Sequence, residues 1–194
     1  MRFPLAILLS ALLAGTAAAG SIQGACDARF LGTSTLHDFS GTVRSRAFAA
    51  AVTRDAAGRI VLPSVEVEFP VAGMRTGNDT RDEAMREMFH SEQHPVVRAA
   101  VRDVDAEALR ERMRADRAGR TPLPVFLSIR GVEREIQAVA GNWKEEGERF
   151  SFDVEFPVSL RDFGLKAPSV LGIIRVGDRV DVKGSVAGTV RETP

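Results

Sequence analysis

The chain has 194 residues, with 26 basic and 26 acidic side chains, three histidines and one cysteine. Its charges balance and are dispersed, with no basic stripe to bind a phosphate backbone, which argues against a nucleic-acid partner. A lone cysteine rules out an intramolecular disulfide, so stability must come from an apolar core.

In chain order, Arg2, the apolar run 3–13 and the small residues Ala17-Ala18-Ala19 read as a secretory signal peptide cut after Ala19. The apolar run is too short to cross a bilayer as a helix, which takes about 20 residues, and no later stretch reaches that length. The expectation is therefore an exported, periplasmic protein with a single domain over residues 20–194 and no transmembrane segment. Cys26 follows Gln23-Gly24-Ala25, without the Leu a lipid-attachment site would carry, and lies far beyond the apolar run. It reads as a small buried thiol.

Period-2 alternation dominates the remainder. Val65, Val67, Phe69 and Val71 alternate with Glu66 and Glu68, and Phe150, Phe152, Val154, Phe156, Val158 and Leu160 alternate with mostly polar residues. Val180, Val182, Val186 and Val190 repeat the pattern, as do Val125, Leu127 and Ile129 before a turn at Gly131 leading to Ile136, Ala138 and Ala140. Further strands are expected over 28–35, 41–53 and 96–104, with turns at 55–58, 145–147 and 176–178. About eight one-sided antiparallel strands bury a continuous apolar face most simply by closing into a barrel. A two-sheet sandwich is the structural rival.

Two helices interrupt the strands. The first is expected to start at Thr80 as N-cap with Glu83 completing a capping box, to carry Ala84, Met85, Met88 and Phe89 on one face, and to stop before Pro95. It would close one end of the barrel. The second, over 105–118, is mostly charged, has only Leu109 and Met113 spaced for contact, and reads as an additional surface helix.

An eight-stranded barrel can be filled by its side chains or left with room for one ligand. Gly184, Gly188, Ala138 and Ala140 on the inward parity remove volume, but they equally serve bending and close packing, so both readings stay open. If the barrel is hollow, Phe69, Phe150, Phe152, Val154, Phe156 and Val182 form the wall, and Met85, Met88 and Phe89 an adaptable lid. Ten methylenes buried at about 0.8 kcal/mol each would offset an association cost of roughly 4–15 kcal/mol. Arg81 opposes the helix dipole from the first turn, and reads either as paired with an acidic neighbour or as a contact for a polar ligand head. His90 and His94 are four apart, but the helix should end near His90, and no metal site is expected. His37, Asp38 and Ser40 alternate in direction along a strand and cannot form a triad by themselves. Trp143 reads as a hairpin-end anchor or a rim contact.

The segment Thr76-Gly77-Asn78-Asp79-Thr80-Arg81-Asp82, followed by a short helix and His94-Pro95, resembles the core motif of the YceI-like family. Leu127 to Val132 is similar to that family's hairpin, and Arg161-Asp162-Phe163-Gly164-Leu165 to the stretch before its final strands. The resemblance covers nearly the whole chain after the signal peptide. It implies a lipocalin-like antiparallel barrel that binds a long isoprenoid or comparable amphiphile, without catalytic activity and with no cofactor beyond such a lipid. Phe39 and Phe163, which stand in segments compared with the family, are taken as ligand contacts on this resemblance alone. The chain departs from the pattern in a shortened segment from Gly32 to Gly41, in His94 where an aromatic is commoner, and in an insertion over 103–120. The rivals are a solid barrel that docks a partner and a hydrolase using His37. Oligomeric state is open, a homodimer being one option.

Overall fold

In the computed structural model the described residues are 18–35, 37–116, 119–167, 169–170 and 174–192. Residues 1–17 of the signal peptide expected over 1–19, and the end of the second helical stretch, 117–118, fall outside them, while Ala18 and Ala19 already belong to the first strand. Among the described residues ten strands run in chain order: β1 (Ala18–Ser34), β2 (Phe39–Arg44), β3 (Phe48–Arg54), β4 (Ile60–Pro70), β5 (Val96–Asp105), β6 (Thr121–Ile129), β7 (Val132–Glu146), β8 (Arg149–Ser159), β9 (Ser169–Val170) and β10 (Ile174–Glu192). Helix α1 (Asp79–Phe89) lies between β4 and β5, and α2 (Ala106–Ala115) between β5 and β6. Neighbouring strands pair antiparallel, and β1 pairs β10 as well as β3, so eight strands close into a barrel. Closure satisfies edges that a sandwich would leave free.

The stretch expected as one strand over 41–53 is two. Ser45 exchanges hydrogen bonds with Cys26, its amide to the Cys26 carbonyl and the Cys26 amide to its Oγ, both 2.8 Å. The chain then bends, so β2 and β3 occupy one slot beside β1 in succession. The turn expected at 176–178 is instead an irregularity within β10, where the β1 register shifts between Gly32 and Ser34. Val71, read as a strand residue, begins a single 3-10 turn and is fully buried. The turns at 55–58 and after Glu146 are present, and the β6–β7 hairpin turns through Arg130 and Gly131, both left-handed as a two-residue hairpin requires.

How the interior is furnished follows from cross-strand pairing. Phe30 lies opposite Gly41, Phe39 opposite Gly32, Phe48 opposite Gly24 and Phe150 opposite Gly188. In each pair the ring lies over the glycine: a Cβ on Gly24 would sit 2.9 Å from Phe48 Cζ, and one on Gly188 2.7 Å from Phe150 Cζ. Glycine removes the bulk that would push the ring off the wall. The rings therefore lie flat along the barrel wall.

One seam of the wall stays unzipped. Among the described residues β5 and β6 pair only at Arg98–Ala100 against Phe126–Ser128. The register with β7 turns the odd residues of β6 toward β7, so the amide positions of Pro122 and Pro124 face β5 and have no hydrogen to donate. Helix α2 packs beside this gap, contacting β4, β5 and β7.

Gly188→Ala is expected to lower stability by about 1–3 kcal/mol in chemical denaturation, because the new methyl meets the Gln23 carbonyl at 2.5 Å as well as the Phe150 ring. Unchanged stability would show that the ring is not seated on this glycine.

Candidate ligand cavity

The segment 76–82 works as a fastening. Gly77 takes a left-handed conformation (φ 73°), and Asn78 caps α1 by accepting from the Arg81 amide at 2.9 Å. The helix therefore starts two residues earlier than expected: Thr80 lies inside its first turn, and Glu83 pairs with Arg86 rather than completing a capping box. Asp82 is buried and accepts from both the Thr76 hydroxyl (2.6 Å) and the Thr76 amide (2.8 Å). Burial by itself would raise the Asp82 pKa, but the two Thr76 hydrogen bonds, with Arg75 and Arg86 nearby, outweigh it and hold the carboxyl below its usual range.

So anchored, α1 directs Met85, Met88 and Phe89 inward, with Met85 and Phe89 buried. They seal one end together with Met74, Val97, Leu127, Ile129 and Leu160. Arg81 has no carboxylate partner among the described residues. Its guanidinium lies over the Phe39 ring, 5.1 Å from the centroid, and both residues line the interior.

The interior is a cavity of about 970 Å³. This excludes the solid-barrel rival. Phe39, Phe69, Arg81, Met85, Met88, Phe89, Phe150, Phe152, Val154, Phe156 and Val182 all line it. Phe163 does not: it sits on the 3-10 turn 161–163 and is buried in the packing with Leu165 and with Leu160, of which only Leu160 lines the lumen. Of the small residues, Gly184 lines the cavity, while Gly188 lies beneath the Phe150 ring. Ala138 and Ala140 are fully buried in a cluster with Leu109 and Met113, so they accommodate packing with α2 rather than widen the lumen.

Thus α2, expected as a surface helix touching through Leu109 and Met113, makes those two contacts and also borders the cavity. Asp105 caps it by accepting from the Ala108 amide, and Arg110 and Arg114 reach Glu145 on β7. Every exposed residue lining the cavity, among them Arg54, Glu107, Glu145, Glu148, Arg149 and Val190, lies at this end. The cavity is closed by α1 and opens beside α2.

Sequence reasoning passed over Arg110, read Trp143 as a hairpin-end anchor or rim contact, and read Cys26 as a small buried thiol, which it is. All three line the cavity. Trp143 turns inward because β7 shifts register between Gly141 and Lys144, with Asn142 left-handed, a slip that alternation does not reveal. Cys26 is buried on the inner wall, and its thiol pKa is pushed up to about 12 by burial and by Asp27. His90 ends α1 in a left-handed conformation and its Nδ1 lies 3.2 Å from Arg130 Nη2, so His90 and His94 do not share a helical face. No group of metal-ligating side chains occurs among the described residues.

A closed antiparallel barrel with a deep apolar lumen and one mouth defines a binding-protein architecture of the lipocalin-like kind. The YceI-like domain matches residues 23–187, and the chain belongs to that family. Its fold is similar to that of BcnA from Burkholderia cenocepacia, with a TM-score of 0.62, 14% identity, and coverage of 84% of this chain and 96% of the other. It is also similar to a polyisoprenoid binding domain from Saccharophagus degradans implicated in plant cell wall breakdown: TM-score 0.59, 16% identity, 92% and 100% covered. No curated protein is similar enough in sequence to count as a match.

Two outcomes test this geometry. The depressed Asp82 pKa means that its contribution to stability is present above the unfolded-state value of about 3.9 and is lost as pH falls through the folded value. Asp82→Asn should cost about 1–3 kcal/mol near neutral pH and show a shallower acid limb in thermal melts; parallel curves for the two proteins would contradict this. Cys26 in the native protein should resist iodoacetamide at pH 8 and react fully in denaturant. Rapid native alkylation would place the thiol outside the wall.

Proposed function

We propose that the protein is a periplasmic binding protein that holds a long apolar lipid, of the isoprenoid or quinone-like class, for transport, storage or buffering. The observation that carries this is the apolar cavity of about 970 Å³, closed at α1 and open beside α2. An apolar void of about 150 Å³ accepts benzene, so this volume has room for on the order of 35–40 carbon atoms. At about 0.3 kcal/mol per atom, such a chain would bind with a Kd on the order of 1–20 nM. The description of the Saccharophagus degradans domain as polyisoprenoid binding supports the isoprenoid class. Export to the periplasm rests on the N-terminal sequence. Affinity here comes from burial and calls on no catalytic group.

Organic extraction of protein purified from its native host, followed by mass spectrometry, should recover a chain lipid in stoichiometric amount. Val182→Trp, which places a large ring in the lumen, should weaken binding of a long prenyl hydrocarbon more than ten-fold while the melting temperature stays close to wild type. Wild-type protein that carries no lipid and binds no such hydrocarbon would contradict the reading.

A further inference from the structure

The two helices are fastened to the barrel in different ways. Helix α1 is tied down by a buried carboxylate, Asp82, bonded twice to Thr76. Helix α2, which lies in the stretch read as an insertion, spans the β5–β6 seam and contacts β4 and β5 on one side of it and β7 on the other. Its Leu109 and Met113 are buried against Leu123 and Val125 of β6 and Ala138 and Ala140 of β7. These four share the inner face of the wall, Leu123 standing opposite Ala138. The two alanines make room for the helix inside the mouth, and Ala106, Leu109, Arg110 and Met113 form part of the cavity lining.

Three features allow α2 to leave that place without unfolding the barrel. Left-handed residues bracket it, Asp103 (φ 51°) ahead of its Asp105 cap and Gly119 (φ 64°) beyond Asp116. Gly119 lies against Gly141 of β7, so closely that a Cβ on Gly141 would meet the Gly119 carbonyl, and this fixes the pivot on the wall. Secondly, among the described residues the ion pairs of α2 with the barrel converge on Glu145, with Arg114 Nη2 at 2.6 Å and Arg110 Nη1 at 3.8 Å. Both arginines are about half exposed, so water and salt compete for these contacts. Thirdly, the seam beneath the helix carries few backbone hydrogen bonds, because Pro122 and Pro124 present no donor to β5. The wall can part there without breaking a ladder.

We propose that α2 is a swinging lid over the mouth, pivoting at Asp103 and Gly119 and latched through Arg110 and Arg114 to Glu145, and that ligand enters and leaves when the latch is open. This rests on the lumen holding an apolar ligand, as proposed above. Lifting α2 withdraws Leu109 and Met113 from the inner wall and bares Leu123 and Val125 beside the seam. A passing apolar chain covers both surfaces in turn, so exposure to water is brief. A lid of this kind gates both directions: it changes the rates of uptake and release by the same factor and leaves affinity nearly constant.

That signature is measurable by stopped flow with diphenylhexatriene, an uncharged rod-shaped fluorophore that brightens in apolar surroundings. Arg114→Cys combined with Glu145→Cys, bridged by a bis-methanethiosulfonate, should slow uptake and release at least about ten-fold, and dithiothreitol should restore both. The unbridged protein is its own control for folding. Glu145→Gln, which keeps an acceptor for Trp143 Nε1, should speed both rates about three-fold with Kd within two-fold of wild type. In wild-type protein, added sodium chloride should likewise speed both. Bridged protein that exchanges as fast as unbridged, a Glu145→Gln protein altered in release but not in uptake, or wild-type rates indifferent to salt would overturn the lid and leave the lumen reading intact. Wild-type protein that does not bind the fluorophore would overturn the lumen reading and the lid with it.

Discussion

Four phenylalanines of the barrel wall each stand across from a glycine, and this pairing governs what the protein can contain. A phenylalanine on the inner face of a small barrel would ordinarily reach toward the axis and fill it. Placed over a glycine, the ring gains contact with backbone instead and stays against the wall. The interior is thereby apolar without being full. The glycines at these positions cannot be exchanged without moving a ring or a neighbouring carbonyl.

The two ends of the barrel are treated differently by the two helices. At one, α1 is held by its Asn78 cap and the Asp82–Thr76 hydrogen bonds, and presents a sulfur- and ring-rich face that closes the lumen. At the other, Pro122 and Pro124 stop β6 from zipping to β5, and α2 packs beside the gap through Leu109 and Met113. The charged remainder of α2 stays in solvent, except where Arg110 and Arg114 meet Glu145. The closed end limits depth, and the open end decides what enters.

Much of this was legible in the sequence because alternation and helix periodicity are local signals. The wall positions Phe69, Phe150, Phe152, Val154, Phe156 and Val182 followed from parity alone and line the cavity. The Met85, Met88 and Phe89 face followed from helical spacing. What stayed hidden depends on contacts between distant segments. Nothing local to Asn78 or Thr80 says which of two good caps is used; that is decided by Asp82 reaching Thr76. Trp143 needed the left-handed Asn142 to turn it inward, and Arg81 found an aromatic rather than an acidic neighbour only because β2 runs past α1. Phe163, carried over from a matched motif, packs outside the lumen.

The most direct measurement is a high-resolution crystal structure of protein purified from its own host without added lipid. The account predicts the rings of Phe30, Phe39, Phe48 and Phe150 flat on their glycines, and continuous electron density for an apolar chain between Met88 and Trp143. Side chains meeting across the barrel axis, with the void gone, would contradict it.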